Sequence, residues 1–257
     1  MIASCSTHSK AISAGKWDDH FAALYGSTEI AVQKSRYLKL LNQLEAHTPG
    51  EKAIIVNAPG RTELGGNHTD HNHGCILAAA VNLDCAAAVY PTDTPTVTLY
   101  SDDYEEPIQV NLTNLSPSQT EHGTPEALVR GVAAAFFRRT GLRQGCTGRL
   151  HSTCQPGTGL SSSAAFSVMI GSIFNFLSYE GRLSAPTLAV MAQEAENDFF
   201  GKPCGLMDQM ASSLGRTIFA DFLEPLTPHI KIIEHSLKKS GYQLAVIDTG
   251  GSHIELT

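Results

Sequence analysis

The most informative stretch of this chain reads Pro156-Gly157-Thr158-Gly159-Leu160-Ser161-Ser162-Ser163-Ala164-Ala165. Its two glycines let the backbone approach a phosphate group closely, because glycine has no Cβ atom. The three serines fall on the first turn of a predicted helix, where N–H groups without intrahelical partners form an anion site reinforced by the helix dipole. Serine hydroxyls at that place can donate to phosphate or bind Mg²⁺. The stretch therefore predicts a phosphate-holding loop.

Other glycine-rich loops do not match this stretch. No lysine follows the glycines, as a Walker A loop requires, and the third glycine of a dinucleotide fingerprint is absent. The Gly-x-Ser-x-Gly pattern of a nucleophile elbow does not occur there either. A serine-capped helix after a tight turn is the alternative interpretation. Three consecutive serines between Gly-x-Gly and Ala-Ala disfavour it.

Helices and strands both flank this loop. A strand is predicted at 146–152 and a helix at about 161–177, while apolar residues at helical spacing predict a helix over 17–46. A strand at 53–56 precedes a polar loop at 59–74. Further strands are predicted at 76–81, 86–90, 97–100, 108–112, 217–222, 230–233 and 244–247, and further helices at 125–140 and from 184 to about 197. The chain is therefore expected to have an α+β fold.

Two carboxylates follow the phosphate loop, Glu196 and Asp208. Helical spacing places Glu196 about 80° from Leu188, at the edge of the apolar face, whereas Glu194 faces water. A buried carboxylate is costly without a cation, and a nucleotide-bound Mg²⁺ would supply one. Asp208 lies among apolar and small residues, where it can accept a proton from a substrate hydroxyl. For either residue alone, an N-cap or a surface acid is the alternative.

The polar loop at 59–74 is dense with hydrogen-bonding side chains. Arg61 could neutralise charge that develops during phosphoryl transfer, and Asp70 and His68 suit sugar hydroxyls, which need paired donors and acceptors. A metal site and a plain solvent-exposed loop are the competing interpretations. The typical metal ligands in this loop are His68, Asp70, His71 and His73. They are crowded into six positions without a second cluster, which disfavours the metal site.

The composition argues against several other classes of protein. The formal net charge is -7 and no basic stripe runs along the chain, so nucleic-acid binding is not indicated. The N-terminus lacks an apolar leader segment, and no apolar run approaches the length of a membrane span. The six cysteines contain no Cys-x-x-Cys pair, which predicts reduced thiols in a cytoplasmic protein.

Residues 58–74, 156–165 and 196–209, taken in this order, resemble the galactokinase branch of the GHMP kinases. The resemblance runs from residue 17 to the stretch at 248–253. It implies a GHMP-kinase-like two-domain fold with a catalytic cleft between the domains, the first domain being like domain 2 of ribosomal protein S5. It also implies ATP and a hexose, with galactose leading, as substrates, Mg²⁺ as cofactor, and transfer of the γ-phosphoryl group to the anomeric hydroxyl.

The resemblance assigns roles to individual residues. Asp208 matches the catalytic base and Arg61 the charge-stabilising arginine. Glu196 matches the Mg²⁺ carboxylate with Ser163 as its partner, a role that Ser162 could share. The positions that match sugar contacts are Arg61, Asn67, His68, Asp70, Gly205 and Asp208. Those that match the ATP loop are Pro156, Gly157, Thr158, Gly159, Leu160, Ser161, Ser162 and Ser163.

The chain departs from the family pattern in three places. Asn67 stands where galactokinases usually carry Glu, and His71 replaces the usual Tyr. A third glycine-rich motif and a sugar-contacting tyrosine would lie beyond Thr257. We therefore expect residues 1–215 to form the N-terminal domain, including a helical segment at 1–49, and residues 216–257 to begin a truncated second domain.

Three functional hypotheses follow. The leading one is an ATP-dependent kinase for galactose or for a related hexose such as a uronic acid or amino sugar. The second is a non-catalytic sugar and nucleotide sensor on the same fold, which could tolerate loss of Asp208 or of the serine loop, although both are intact. The third is a metal-dependent hydrolase that uses the histidine cluster.

Overall fold

A computed structural model of the chain describes residues 2–225, 227–234, 237, 240–245 and 247. Within these residues the fold is α+β, as the sequence predicts. The strands are β1 (Ala3–Ser4), β2 (Lys52–Gly65), β3 (Cys75–Thr92), β4 (Thr96–Tyr100), β5 (Ile108–Asn111), β6 (Gly145–Ser152), β7 (Thr217–Asp221) and β8 (His229–Ile232). The α-helices are α1 (Cys5–Ser13), α2 (Asp18–Tyr25), α3 (Ile30–His47), α4 (Pro125–Thr140), α5 (Ser162–Ser178), α6 (Ala185–Ala195) and α7 (Met207–Leu214).

The long strands β2 and β3 form the centre of the sheet. They pair antiparallel, from Ile54 opposite Val89 to Gly65 opposite Leu77. The second half of β3 also pairs with β6, and its first half pairs with β7. β4 pairs with β6 in parallel and with β5 in antiparallel orientation. β1 pairs with β2, and β8 pairs with β7. The end of β2, from Arg61 to Gly65, therefore pairs with the first half of β3.

Helices cover both faces of this sheet, because side chains of β3 alternate between them. Ala87 and Val89 belong to the core that α4, α5 and α6 complete. Ala88 and Tyr90, on the opposite face, pack with α1, α2 and α3. A third cluster joins α7 to β7 and to the first half of β3. Because both faces are buried, the strands that lead to the phosphate loop sit on a rigid support.

Several predicted helices are confirmed. α4 spans Pro125–Thr140, begins with Thr124 as its N-cap and ends at Gly141, whose φ is 71°. Ser184 caps α6 by accepting a hydrogen bond from the backbone N–H of Thr187. α5 starts at Ser162, directly after the phosphate loop. Caps and terminal glycines are local signals, so the sequence alone locates these helices.

Two strand boundaries are wrong, because the strands continue through residues that usually end them. The predicted loop at 59–74 is strand β2 as far as Gly65, with a register shift between Pro59 and Arg61. The strands predicted at 76–81 and 86–90 are one strand, β3. Asp84 lies inside β3 with 1% exposure and accepts hydrogen bonds from side chains of the N-terminal helices. Asp84 therefore belongs to a buried network of hydrogen bonds, and not to a turn between two strands.

The helix predicted over 17–46 is divided. α2 ends at Gly26, where φ is 94°, and α3 begins at Ile30 after a short 3-10 turn. A separate helix, α1, precedes them within the segment expected to be helical at 1–49, and Ser4 caps its first turn. None of the helices in the described ranges is long and apolar enough to cross a membrane. The six cysteines are free thiols.

Some predictions at the C-terminal end stay predictions. Residue 246 of the strand expected at 244–247 lies outside the described residues, and positions 244, 245 and 247 are not in a strand. Residues 248–253 also lie outside them. β7 and β8 fall in the range expected to begin a second domain, and β7 pairs with β3 of the central sheet. The domain boundary expected between residues 215 and 216 stays a prediction.

Candidate functional site

The phosphate loop connects β6 to α5. Gly157 and Gly159 have φ values of 79° and 74°, the left-handed region that glycine adopts without steric cost. Ser161 is the N-cap of α5, so the first-turn N–H groups of this seventeen-residue helix face the loop. The geometry agrees with a site for an anionic group at a helix N-terminus.

Strand β2 lies directly against this loop. The backbone N–H of Arg61 donates to Leu160 O over 3.0 Å. A Cβ atom on Gly60 would lie 2.8 Å from both Leu160 O and Cys154 Sγ, closer than real Cβ contacts. Glycine at position 60 therefore permits the close approach of strand and loop, and places the Arg61 side chain at the edge of the phosphate loop.

Arg61 and Asp208 form a bidentate ion pair beside the loop. Arg61 Nε lies 2.6 Å from Asp208 Oδ1, and Nη2 lies 2.6 Å from Oδ2. Arg61 Nη1 also donates to Gly159 O over 2.9 Å, and Ser161 Oγ donates to Asp208 Oδ2. Arg61 is buried, whereas the Asp208 side chain keeps 23% exposure at the start of α7. The structure thus brings together two predicted catalytic residues that are 147 positions apart.

Glu196 is buried beside the first turn of α5. It begins a π-helical turn, Glu196–Phe200, that continues α6, and such turns often occur at functional sites. Ser163 Oγ donates to Glu196 Oε2 over 3.0 Å, and Gln209 Nε2 donates to Oε1 over 2.8 Å. Burial raises the pKa of the Glu196 carboxyl above its usual value, although both hydrogen bonds oppose the shift. The predicted metal pair, Ser163 and Glu196, is therefore in contact.

The oxygen atoms of Glu196 and Ser163 are suitable ligands for a divalent cation. Among the described residues, no cationic side chain lies within ion-pair distance of this carboxylate, which is 2% exposed. A buried carboxylate with neutral partners lacks compensation for its charge. Carboxylate and hydroxyl oxygens are also the ligand types that Mg²⁺ prefers. The residues present fit the ion that the sequence led us to expect.

This burial has a testable effect on stability. Because the pKa of Glu196 is raised in the folded state, its contribution is favourable at acid pH and is lost as pH rises above about 4.5, the ordinary value. We expect Glu196→Gln, which cannot ionise, to raise the melting temperature of the ligand-free protein at pH 7 by about 2–4 °C for each kcal/mol gained. The gain should shrink towards pH 4.5. Thermal unfolding of both proteins across pH measures it, and a pH-independent difference would contradict the assignment.

Glu194 occupies the other side of the same helix, as the helical spacing predicts. It is partly exposed and accepts hydrogen bonds from Arg138 and Arg139. Burial alone would raise the pKa of the Glu194 carboxyl, but the hydrogen bonds and positive charges of Arg139 and Arg138 together lower it below its usual value. Glu194 is thus a partly exposed acid with two arginine partners, whereas Glu196 is a buried acid whose hydrogen-bond partners are neutral.

Asp70 lies close to the start of α7. It is 6% exposed, and its Oδ2 accepts a hydrogen bond of 3.0 Å from the backbone N–H of Met207. A Cβ atom on Gly205 would lie 1.9 Å from Asp70 Oδ2, so only glycine leaves room for this carboxylate. The predicted sugar residues Asp70 and Gly205 are therefore in contact, next to Asp208.

Asn67 and His68 lie at an exposed rim. Both have left-handed backbone conformations, with φ values of 58° and 54°. Glu63 holds the turn, since its Oε1 accepts from the backbone N–H of His68 over 2.9 Å and its Oε2 lies 3.3 Å from His68 Nε2. His71 is also exposed, and its Nδ1 lies 3.6 Å from Asp70 Oδ1. Among the described residues, no three His, Cys, Asp or Glu side chains group so as to hold a metal ion.

Sequence reasoning missed two residues of the site, Glu63 and Gln209. Gln209 is fully buried and bonds Glu196, and its Oε1 has no hydrogen-bond partner in the described structure. The available signal was its position directly after Asp208, in the first turn of α7. Glu63 stands at the end of a strand that the sequence presented as a loop, so its alternation with Arg61 was not visible.

Two family models match the chain. Residues 127–216 match the GHMP kinases N terminal domain, and this range includes the phosphate loop, Glu196 and Asp208. Residues 45–91 match the galactokinase galactose-binding signature, which includes Arg61 and Asp70.

Solved structures with a similar fold include several kinases. Galactokinase of Lactococcus lactis complexed with galactose has a TM-score of 0.63 and 21% identity, over 86% of this chain and 52% of that one. Mevalonate kinase of Methanococcus jannaschii has a TM-score of 0.59 and 15% identity, over 74% and 59% of the two chains. D-glycero-D-manno-heptose 1-phosphate kinase of Bacteroides thetaiotaomicron has a TM-score of 0.57 and 20% identity, over 71% and 60%. The chain spans about half the length of the galactokinase.

Proposed function

We propose that this chain, a member of the GHMP kinase superfamily, belongs to an enzyme that transfers the γ-phosphoryl group of ATP to the anomeric hydroxyl of a sugar, with galactose the leading substrate. The observation that carries the proposal is the Arg61–Asp208 ion pair, seated against the phosphate loop and next to Asp70. In this proposal the Asp208 carboxylate lies between the loop that binds the nucleotide and Asp70, which binds the sugar. Its geometry fits a base that acts between two substrates.

Phosphoryl transfer needs mainly positioning and charge stabilisation from the protein. In this proposal the loop and the first turn of α5 bind the nucleotide phosphates. Asp208 accepts the proton of the sugar hydroxyl, whose oxygen attacks the γ-phosphorus as the bond to the β-phosphate oxygen breaks and ADP leaves. Arg61 stabilises negative charge between the two substrates. Asp70, held by the N–H of Met207, accepts hydrogen bonds from sugar hydroxyls.

We further propose that Glu196 and Ser163 hold Mg²⁺ beside the nucleotide. The ion, when bound, neutralises charge on the phosphate oxygens. Gln209 keeps Glu196 in place through its amide N–H. The free thiols of all six cysteines support a reducing compartment such as the cytoplasm.

A sugar panel tests the proposed function. ADP formation should be measured with galactose, glucose, mannose, galacturonate and galactosamine, and with mevalonate, using the natural protein that carries this sequence. We expect ADP and a sugar 1-phosphate to form in equal amounts with one or more galactose-like sugars. Binding of sugar and ATP without turnover would favour the sensor, and turnover of mevalonate but no sugar would overturn the proposal.

Asn67 predicts broad tolerance at sugar position C6. The family resemblance places a Glu there, which would repel a C6 carboxylate, whereas an amide can both donate and accept hydrogen bonds. We expect Asn67→Glu to lower kcat/KM for galacturonate relative to galactose by roughly tenfold, a cost of about 1.4 kcal/mol. The same comparison with fucose tests the 6-deoxy position.

Asn67→Gln is the matched control for this substitution. It has the size of Glu and must adopt the same left-handed backbone, whose φ is 58°, but it carries no charge. A preference for galactose that is identical in all three proteins would show that residue 67 does not select at C6.

A further inference from the structure

The three consecutive serines of the phosphate loop have different surroundings. Ser163 Oγ bonds Glu196, the proposed metal carboxylate. Ser161 Oγ bonds Asp208, the proposed base. The resemblance groups all three with the nucleotide, but in the structure the Ser161 hydroxyl bonds the Asp208 carboxylate.

Ser161 does not perform the usual task of a serine at a helix N-cap. Such a serine accepts a hydrogen bond from a first-turn N–H, and removing it commonly weakens the helix. Ser161 forms no side-chain cap bond, and its backbone is left-handed, with φ and ψ both 57°. That conformation is uncommon for residues other than glycine and persists only where the surrounding structure requires it. Both departures are explained if the Ser161 hydroxyl is needed at Asp208.

The hydrogen bonds of Asp208 leave one position for a substrate. A carboxylate has about four acceptor sites, two on each oxygen. Arg61 occupies one site on Oδ1 and one on Oδ2, and Ser161 occupies the second site on Oδ2. The remaining site is on Oδ1. A hydroxyl proton can therefore be accepted at Oδ1 without breaking an existing bond.

We propose that Ser161 is a positioning residue that locks Asp208 so that Oδ1 alone accepts the proton of the sugar hydroxyl. The inference rests on the proposed function and deepens it. The Ser161 hydroxyl keeps its own proton and touches neither the sugar nor the γ-phosphate. Its effect on turnover passes through the orientation of the Asp208 carboxylate.

Two substitutions separate the hydroxyl from the backbone conformation. Ser161→Ala removes the hydroxyl and keeps the strained left-handed backbone, whereas Ser161→Gly removes the hydroxyl and relieves the strain. We expect both to lower kcat by about 10- to 100-fold, as for loss of a hydrogen bond to a charged group. The dissociation constant of Mg-ATP, measured by direct titration, should stay within about twofold of the wild type.

Ser167→Ala is the matched control. Ser167 lies on the same helix, is fully buried and has an Oγ without a hydrogen-bond partner in the described structure, so its removal should leave kcat unchanged. Wild-type kcat in Ser161→Gly would overturn the proposal, and so would a loss confined to Mg-ATP affinity, which would make the hydroxyl a phosphate ligand.

Failure of the proposed function would give a different result. In that case the wild-type protein turns over no sugar with ATP, and crystal structures of wild type and Ser161→Ala decide the positioning role. If the Asp208 carboxylate is rotated in Ser161→Ala relative to the wild type, the positioning role is supported. An unchanged carboxylate, still paired with Arg61 on both oxygens, overturns it.

Discussion

Asp208→Asn is expected to lower kcat by roughly 10²- to 10⁴-fold, the range that a general base contributes. An amide oxygen still accepts the bond from Arg61, but it cannot take a proton from a sugar hydroxyl. The Kd values for sugar and Mg-ATP should change much less than kcat, because the rest of the site is held by other residues. Steady-state kinetics measures the change in kcat, and direct ligand titration measures the changes in Kd.

The same substitution should also lower the melting temperature. Arg61 is 6% exposed, and the ion pair with Asp208 is the only one it forms among the described residues. Removing one partner of a buried pair costs about 3–5 kcal/mol, and the cost should be smaller here because Asp208 keeps 23% exposure. The structure therefore predicts a less stable variant.

Asp221→Asn is the control for Asp208→Asn. Asp221 ends β7 and accepts a hydrogen bond from the backbone N–H of Leu223, away from the phosphate loop. It should keep wild-type kcat. If Asp208→Asn also keeps wild-type kcat in a sugar-phosphorylating protein, Asp208 is not the base.

Local signals explain what the sequence predicts well. The helix at Pro125–Thr140 has a threonine cap, a first-turn proline and a terminal glycine, each of which acts within a few residues. The helical spacing that placed Glu196 inward and Glu194 outward is likewise local. These predictions needed no knowledge of what packs against the helix.

Long-range partners explain what the sequence does not predict. β3 continues through Asp84 because Tyr25, Arg36 and Asn57, all distant in sequence, satisfy its carboxylate. The hydroxyl of Ser161 reaches Asp208 only because the chain between them brings α7 beside the loop. Neither contact has a signal in the spacing of residues. Motif order could indicate that these residues share a site, but not which atoms bond.

The largest expected effect on nucleotide binding comes from Glu196→Gln. With Mg²⁺ present, we expect ATP affinity to fall by at least roughly tenfold, since even residues behind the metal ligands change affinity by about that factor. Without Mg²⁺, Glu196→Gln should instead bind ATP more tightly than the wild type does. The wild-type carboxylate then repels the phosphates at close range inside the protein, and the neutral amide does not. Gln also keeps an acceptor for Gln209 and a polar partner for Ser163, so the pocket retains its shape.

Glu194→Gln controls for the loss of a negative charge on the same helix. Its carboxylate is compensated by Arg138 and Arg139 on the outer side, so ATP affinity should stay within about twofold of wild type with or without Mg²⁺. Titrations of ATP into the three proteins, each in Mg²⁺ and in chelator, give the comparison. Equal losses in the two variants would show that helix charge in general, and not a metal ligand at Glu196, governs binding. A Glu196→Gln protein that binds ATP weakly under both conditions would place the carboxylate in the support of the loop, because only a ligand of the cation reverses its effect when the cation is removed.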